Sequence, residues 1–210
     1  EKRMGDILFT RYFLSSCDAF ITMSEKVMMD LRKFVQDKPA KQVLHPLYDN
    51  FGEAVSKTEA RMKLGIEPGI PVILFFGFIR KYKGLDILLE AVKLLQDKEA
   101  ASDIKILIAG EFYEDRKPYD EQIERLIIKD QLILKTDFIQ DSEVKYYLCA
   151  ADVVIQPYRS ATQSGVTPLA YHFEKPMIVT RVGALPDMVP HEKVGLVADP
   201  NPGSLADEIM

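Results

Sequence analysis

Tryptophan is absent from these 210 residues, cysteine occurs twice and histidine three times. Cys17 and Cys149 form no Cys-x-x-Cys pair and sit in apolar stretches, which reads as reduced, buried thiols of a cytoplasmic protein rather than a disulfide framework. His45, His172 and His191 lack metal-ligand spacing, so structural zinc is excluded. No apolar run approaches the roughly 20 residues that cross a bilayer, and no signal peptide opens the sequence. Excess positive charge is missing too. Lys and Arg total 27 against 32 Asp and Glu, a net charge of −5, which argues against nucleic acid as a partner because wrapping it takes a basic face. Any anion site must be local.

What is present is a core-forming composition, 47% hydrophobic with 28% charged residues. At roughly 150 residues per domain, the length corresponds to about one and a half domains. The first residue is Glu1, and the last, Met210, follows soon after a helix expected to begin at Ser204, so the chain reads as a piece of a longer protein.

Short apolar runs alternate with amphipathic stretches, the pattern of an α/β fold. Strands are expected at Val72–Phe76, Ile104–Ala109, Val153–Gln156, Met177–Thr180 and Val194–Ala198. Several are apolar without alternation, which predicts a parallel sheet covered by helices on both faces. Leu85, Leu88, Leu89, Val92 and Leu95 share one face of a helix, and Ile123, Leu126 and Ile127 repeat the spacing, as do Val144, Tyr147 and Leu148. Residues 1–48 read as a separate βα piece ending in a linker. They hold a strand at Asp18–Met23, an N-cap at Ser24, a helix at Glu25–Val35 and a strand at Lys41–Leu44. Residues 49–210 form the second unit, entered through a helix at Thr58–Leu64 that Gly65 closes.

Chemistry concentrates where strands end. After Val72–Phe76 comes Gly77-Phe78-Ile79-Arg80-Lys81-Tyr82-Lys83-Gly84, with three cations in eight residues of an acidic chain. Ligands of open α/β sheets sit outside the carboxyl ends of strands, and there Arg80 and Lys83 would meet a diphosphate as charged donors. A solvated basic loop is the plainer alternative. After Val153–Gln156, the run Gln163-Ser164-Gly165-Val166-Thr167-Pro168 opens a helix, with Ser164 as the expected N-cap and first-turn amides open to an anion. An ordinary cap is the plainer reading here. Gly110-Glu111 supplies a third loop on the same edge. The turn is neither a Walker loop nor a Gly-x-Gly-x-x-Gly, which disfavours a nicotinamide-dependent oxidoreductase, and no Asp-x-Asp exists to clamp a metal-bound diphosphate.

In order and spacing these motifs resemble the donor-binding half of a retaining glycosyltransferase of GT-B type, family 4. The run is strand–Gly77…Lys83-Gly84–helix, IKILIAGE, TDFIQDSEVKYYLCAADVVIQPY, SGVTPLA…KPMIVTRVGALPDMV and GLVADP. The resemblance covers about residues 50–210, and the preceding ITMSEKV…HPLYDNF is similar to the end of the acceptor-side domain.

The resemblance implies a Rossmann-like domain holding a nucleoside-diphosphate sugar, and transfer of that sugar to an acceptor hydroxyl with retention and no metal or other cofactor. It implies that Arg80 and Lys83 stabilise the leaving diphosphate. Gly77, Gly110, Glu111, Ser164, Gly165, Val166 and Thr167 would line the donor site, and Ile139, after a strand ending in Phe138, would contact the base through its backbone. The acceptor would be a carbohydrate or lipid-linked, as in polysaccharide biosynthesis, which leaves room for peripheral contact at the inner face of the membrane. The piece alone is expected to bind nucleotide without turnover. Phe78 stands where the family often has arginine. Ala161 and Leu169 stand where it usually has two glutamates, the first on the donor sugar and the second on its ribose. A non-catalytic nucleotide-sugar-binding module and a sugar-nucleotide epimerase of the same fold are the alternatives.

Overall fold

The structure, a computed structural model, describes residues 4–48, 50–98 and 103–210. It divides into two compact units, residues 1–46 and 47–210, so Leu47 and Tyr48 belong with the second unit rather than the first. Asp49, the expected start of that unit, lies outside the described residues, as does Glu1.

The first unit pairs β1 (Phe20–Thr22) in parallel with β2 (Ala40–Gln42), beside α1 (Met4–Ser16) and α2 (Glu25–Arg32). Ser24 caps α2 as expected, its hydroxyl accepting from the Val27 N–H at 3.3 Å. The helix stops at Arg32, short of the expected Val35; β1 is shorter than the expected Asp18–Met23, and β2 starts one residue before the expected Lys41 and ends two before Leu44. The sequence pattern gave no sign of α1, whose apolar residues run round the helix rather than along one buried stripe: Ile7, Leu8, Phe9, Tyr12 and Phe13 are exposed while Leu14 is buried. Leu14 packs with Leu31 and Val35, while Lys38 donates to the carbonyls of Leu14, Ser15 and Cys17 around the end of α1. Cys17 is only partly buried, a correction to the expected pair of buried thiols; Cys149 is buried and both are free.

The second unit opens with α3 (Lys57–Leu64), ended by Gly65 in the left-handed region at φ 71°. There follow β3 (Val72–Phe76), α4 (Leu85–Asp97), β4 (Lys105–Ala109), α5 (Lys117–Leu126), β5 (Leu132–Lys135) and α6 (Asp141–Ala150). After β6 (Val153–Gln156) come α7 (Val166–His172), β7 (Met177–Thr180), α8 (Leu185–Met188), β8 (Gly195–Ala198) and α9 (Pro202–Ile209). The last helix starts two residues before Ser204, with the Asn201 side chain accepting from the Ser204 N–H. The six strands β3–β8 form one parallel sheet in the order β5-β4-β3-β6-β7-β8. The strand expected to end in Phe138 is β5, which ends three residues earlier at Lys135 and leaves Phe138 and Ile139 on a loop.

Apolar side chains on both faces explain the unalternating strands. Val72 and Leu74 point with Leu107, Val154 and Val179 into a layer closed by α3, α6, α7 and α8. Ile73 and Phe75 point with Ile106, Ile108, Ile155 and Ile178 into the opposite layer under α4, α5 and α9. At the amino end of the sheet, Asp152 is bound by the Val72 N–H at 2.7 Å, by buried Arg61 at 2.9 Å and by Lys57. That end is structural. The strand order reverses between β3 and β6, so their carboxyl ends open a crevice at the point where ligands of such sheets sit.

Candidate functional site

The loops after β3 and β4 are tied together above the sheet. Ile79 donates to the Glu111 carbonyl at 2.7 Å, Tyr113 donates back to Ile79 at 3.0 Å, and Gly77 donates to the Ala109 carbonyl at 2.9 Å. A β-carbon on Gly110, at φ 131°, would stand 2.5 Å from the Gly77 carbonyl oxygen, so close approach of the two loops requires glycine there. The Gly77 and Gly110 amides are both taken, the latter by the Lys135 carbonyl at 3.0 Å, and these glycines therefore supply room rather than donors.

Lys83 ends a single 3₁₀ turn, Lys81–Lys83, after which Gly84 turns the chain into α4 at φ 69°. A side chain at 84 would collide with the Pro157 carbonyl, and this contact locks the turn to the loop after β6. The turn is held from the other side by Glu114, whose carboxylate accepts from the Lys81 N–H at 2.8 Å and from the Tyr119 hydroxyl. The result is a lysine only 8% exposed, with its ammonium 5.8 Å from the centre of the Tyr158 ring. No acidic side chain pairs with it among the described residues. Burial, and then the nearby charge of Arg80, lower its pKa from 10.5 to about 8. A buried cation with a second cation beside it and no acid is an electrostatic vacancy for an anion.

Two adjoining cavities lie here, and the lysine lines the first of them. One, of about 270 Å³, is lined by Gly77, Lys83, Tyr158, Gln163, Ser164, Gly165, Val166 and Leu169, with the rings of Tyr48 and Phe51. The other, of about 190 Å³, is lined by Gly110, Glu111, Phe138, Ile139, Asp141 and Val144. Phe51, Phe76, Gly77 and Phe78 border both. A wider cleft of about 570 Å³ lies between α4, α5 and the start of α9, where Arg125 and Arg159 are already paired with Glu90 and Asp86.

Of the residues singled out in the sequence, Gly77, Lys83, Ser164, Gly165 and Val166 thus surround one cavity, and Gly77, Gly110, Glu111 and Ile139 the other. Arg80 lines neither. Its guanidinium stacks 4.9 Å from the centre of the Tyr113 ring, which itself packs on Phe78. Thr167 is wholly buried, its hydroxyl donating to the Gln156 side chain at 3.1 Å. Ser164 is not a helix N-cap: α7 is capped at Gly165, and the Ser164 hydroxyl accepts from the Val166 N–H at 3.2 Å while meeting the Tyr158 hydroxyl at 3.1 Å. One of the amides expected to be open is therefore occupied. The sequence gives no sign of the aromatic walls Tyr48 and Phe51, which lie in the irregular stretch between β2 and α3, while Phe138 and Tyr158 are marked only by following β5 and β6 closely. Among the described residues no three of His, Cys, Asp and Glu converge to hold a metal ion, and no helix is long and apolar enough to cross a membrane.

The family described as Glycosyl transferases group 1 matches residues 70–210. D-inositol 3-phosphate glycosyltransferase of Pseudarthrobacter chlorophenolicus is 29% identical over 143 residues, 68% of this chain and 34% of the relative. Among solved structures, sucrose-phosphate synthase from Thermosynechococcus elongatus superposes over the whole chain and 52% of its own length, with TM-score 0.84 at 19% identity. Anabaena HepE in complex with UDP-glucose superposes over 97% of this chain and 56% of its own, with TM-score 0.77 at 17% identity. The chain thus spans a third to a half of the proteins it matches.

Proposed function

From the premise that this chain belongs to the group 1 glycosyl transferases, we propose that residues 47–210 bind a nucleoside-diphosphate sugar, whose sugar the whole protein transfers to an acceptor hydroxyl with retention and without a metal ion. The observation that carries this reading is Lys83, a buried ammonium with no acidic partner among the described residues, on the wall of one of two adjoining cavities. A diphosphate at Gly77 would fill the space that this glycine leaves open and meet that charge. The aromatic-walled cavity at Ile139 would take the base and the cavity at Gln163 the sugar. HepE, solved with UDP-glucose, lends this arrangement support through its fold.

During transfer the bond from the sugar's anomeric carbon to the diphosphate breaks, and negative charge grows on the departing oxygen. Lys83 stands fixed toward that charge, so its stabilisation needs no reorganisation at the moment of reaction. The acceptor oxygen bonds to the same face of the sugar as the diphosphate leaves and gives its proton to the leaving oxygen. Among the described residues no acidic side chain lines the cavity at Gln163 to serve as a covalent nucleophile. Arg80 acts from its perch on Tyr113, as a second positive charge rather than a direct ligand.

One observation favours a second reading, a binding module without transfer. Leu169, at the position of an expected glutamate, is a buried wall of the cavity, and Ala161 at the other packs beneath Gly183. Thermal-shift titration with UDP, GDP and ADP tests the binding reading. A ligand at 100 times its dissociation constant adds about 2.7 kcal/mol, and that gain is expected with one nucleoside diphosphate and lost in Lys83→Ala. No shift with any of them overturns it. Activity of the whole protein, with none in this chain alone, separates enzyme from module.

A further inference from the structure

Lys83 stands where it does because of its backbone. Its ammonium lies 5.8 Å from the centre of the Tyr158 ring, and no acid or hydrogen-bond acceptor among the described residues fastens it there. Direction comes from the 3₁₀ turn Lys81–Lys83, which is closed at one end by the Lys83 N–H donating to the Arg80 carbonyl at 2.8 Å. The other end has a defect. Arg80 occupies the cap position with an extended backbone, φ −140° and ψ 147°, but its side chain has no acceptor to offer and makes no cap bond. The first N–H of the turn, on Lys81, finds its acceptor in another loop: the carboxylate of Glu114, at 2.8 Å.

Glu114 is itself tethered. Its second oxygen accepts from the hydroxyl of Tyr119, a buried ring near the start of α5 that packs on Phe112. Its neighbour Tyr113 carries the Arg80 guanidinium. The loop after β4 thus answers both sides of residue 80: Glu114 replaces the missing cap, and Tyr113 receives the side chain that could not supply it. A carboxylate on a turn rich in cations opposes the attraction of an anion, so its charge does not account for its place. The bond it makes does. We propose that Glu114 is a positioning residue, capping from outside the turn that carries Lys83 and so holding the ammonium on the cavity wall for a diphosphate. The inference rests on the proposed function, in which that diphosphate is the ligand.

Calorimetry on this chain with UDP, GDP and ADP tests it, because cap and charge give opposite signs. Glu114→Ala loses the cap and is expected to weaken binding about fivefold, the usual worth of a helix cap. Glu114→Gln keeps an acceptor and sheds the charge, so its affinity is expected to equal or exceed that of the unaltered chain. With Lys83 already replaced by alanine, Glu114→Ala is expected to change affinity no further, whereas a general loosening of the loops would still weaken it. Tyr119→Phe leaves the carboxylate with one tether and is expected to lose about twofold; it decides the matter if Glu114→Ala does not fold. An unchanged affinity in Glu114→Ala, equal losses in Glu114→Gln and Glu114→Ala, a gain in both, or losses that multiply in the double variant overturn the inference and leave the nucleotide site standing. Binding of no nucleoside diphosphate by the unaltered chain overturns the proposed function, and this inference falls with it.

Discussion

Gly77 and Lys83 compete for one small volume: a β-carbon on Gly77 would lie 3.0 Å from the Lys83 ammonium, tight enough that the lysine would have to give way. The glycine also stands at φ 91°, where side chains are strained. Gly77→Ala is therefore expected to weaken nucleoside-diphosphate binding at least tenfold by displacing the lysine into the space for the phosphates. Calorimetry on the folded variant checks it.

Lys83 gives the site a pH dependence with two opposite signs. Between about 8 and 10.5 the folded chain has released a proton that the unfolded chain keeps, so stability rises with pH across that window. Affinity for a diphosphate moves the other way, because the ammonium is what attracts it. Binding is expected to weaken by up to tenfold per pH unit above about 8 and to become flat, as well as weak, in Lys83→Met. Paired melting and titration series from pH 7 to 10 read both trends.

Arg80→Ala separates a ligand from a bystander charge. With the guanidinium on Tyr113, its removal is expected to reduce diphosphate affinity by less than fivefold, against tenfold or more for Lys83→Ala, where a charged hydrogen bond worth about 1.5–3 kcal/mol is lost. Arg80→Ala should also move the pH midpoint of binding upward, since one of the two causes lowering the Lys83 pKa is gone. Equal losses in both variants would put Arg80 on the phosphates after all.

At the other end of the sheet, Asp152→Asn leaves buried Arg61 without its counter-charge. Burial raises the Asp152 pKa, but hydrogen bonds from Lys57 and the Val72 N–H, with the charges of Lys57 and Arg61, outweigh it and hold the carboxyl below 3.8. Its contribution is therefore complete above about 3.8 and is lost as pH falls through the lowered value. Since Asp152 is about a third exposed, the substitution is expected to cost about 2 kcal/mol, below the range for a fully buried pair. Nucleotide affinity should not change. Urea titrations at pH 7 and pH 3 would show the difference shrinking in acid.

The second unit was legible where local chemistry and tertiary packing agree. Val72–Phe76, Val153–Gln156 and Met177–Thr180 form strands with the expected bounds because both faces of each are covered, and no alternating pattern was needed to find them. The end of β5 was misplaced at Phe138 because Leu132–Lys135 is an edge strand whose limit is set by pairing with β4, which stops at Ala109 opposite Lys135. At the site, glycines and cations on strand ends were visible, since turns and anions demand them. Which cation points inward was not: Arg80 and Lys83 are three residues apart, and Tyr113 and Glu114, from another loop, decide between them.

The reversal of strand order between β3 and β6 has a consequence for redesign. Gly110, Glu111, Phe138 and Ile139 come from the chain before Asp152, while Tyr158, Gln163, Ser164 and Gly165 come after it; the β3 turn with Gly77 and Lys83 and the rings of Tyr48 and Phe51, also before it, complete the second cavity. Apart from those walls, the two ends of a bound molecule are written in consecutive stretches of sequence. A hybrid joined between Ala151 and Asp152 would inherit one end of its selectivity from each parent, making the fold a cassette in which base and sugar preferences can be traded separately.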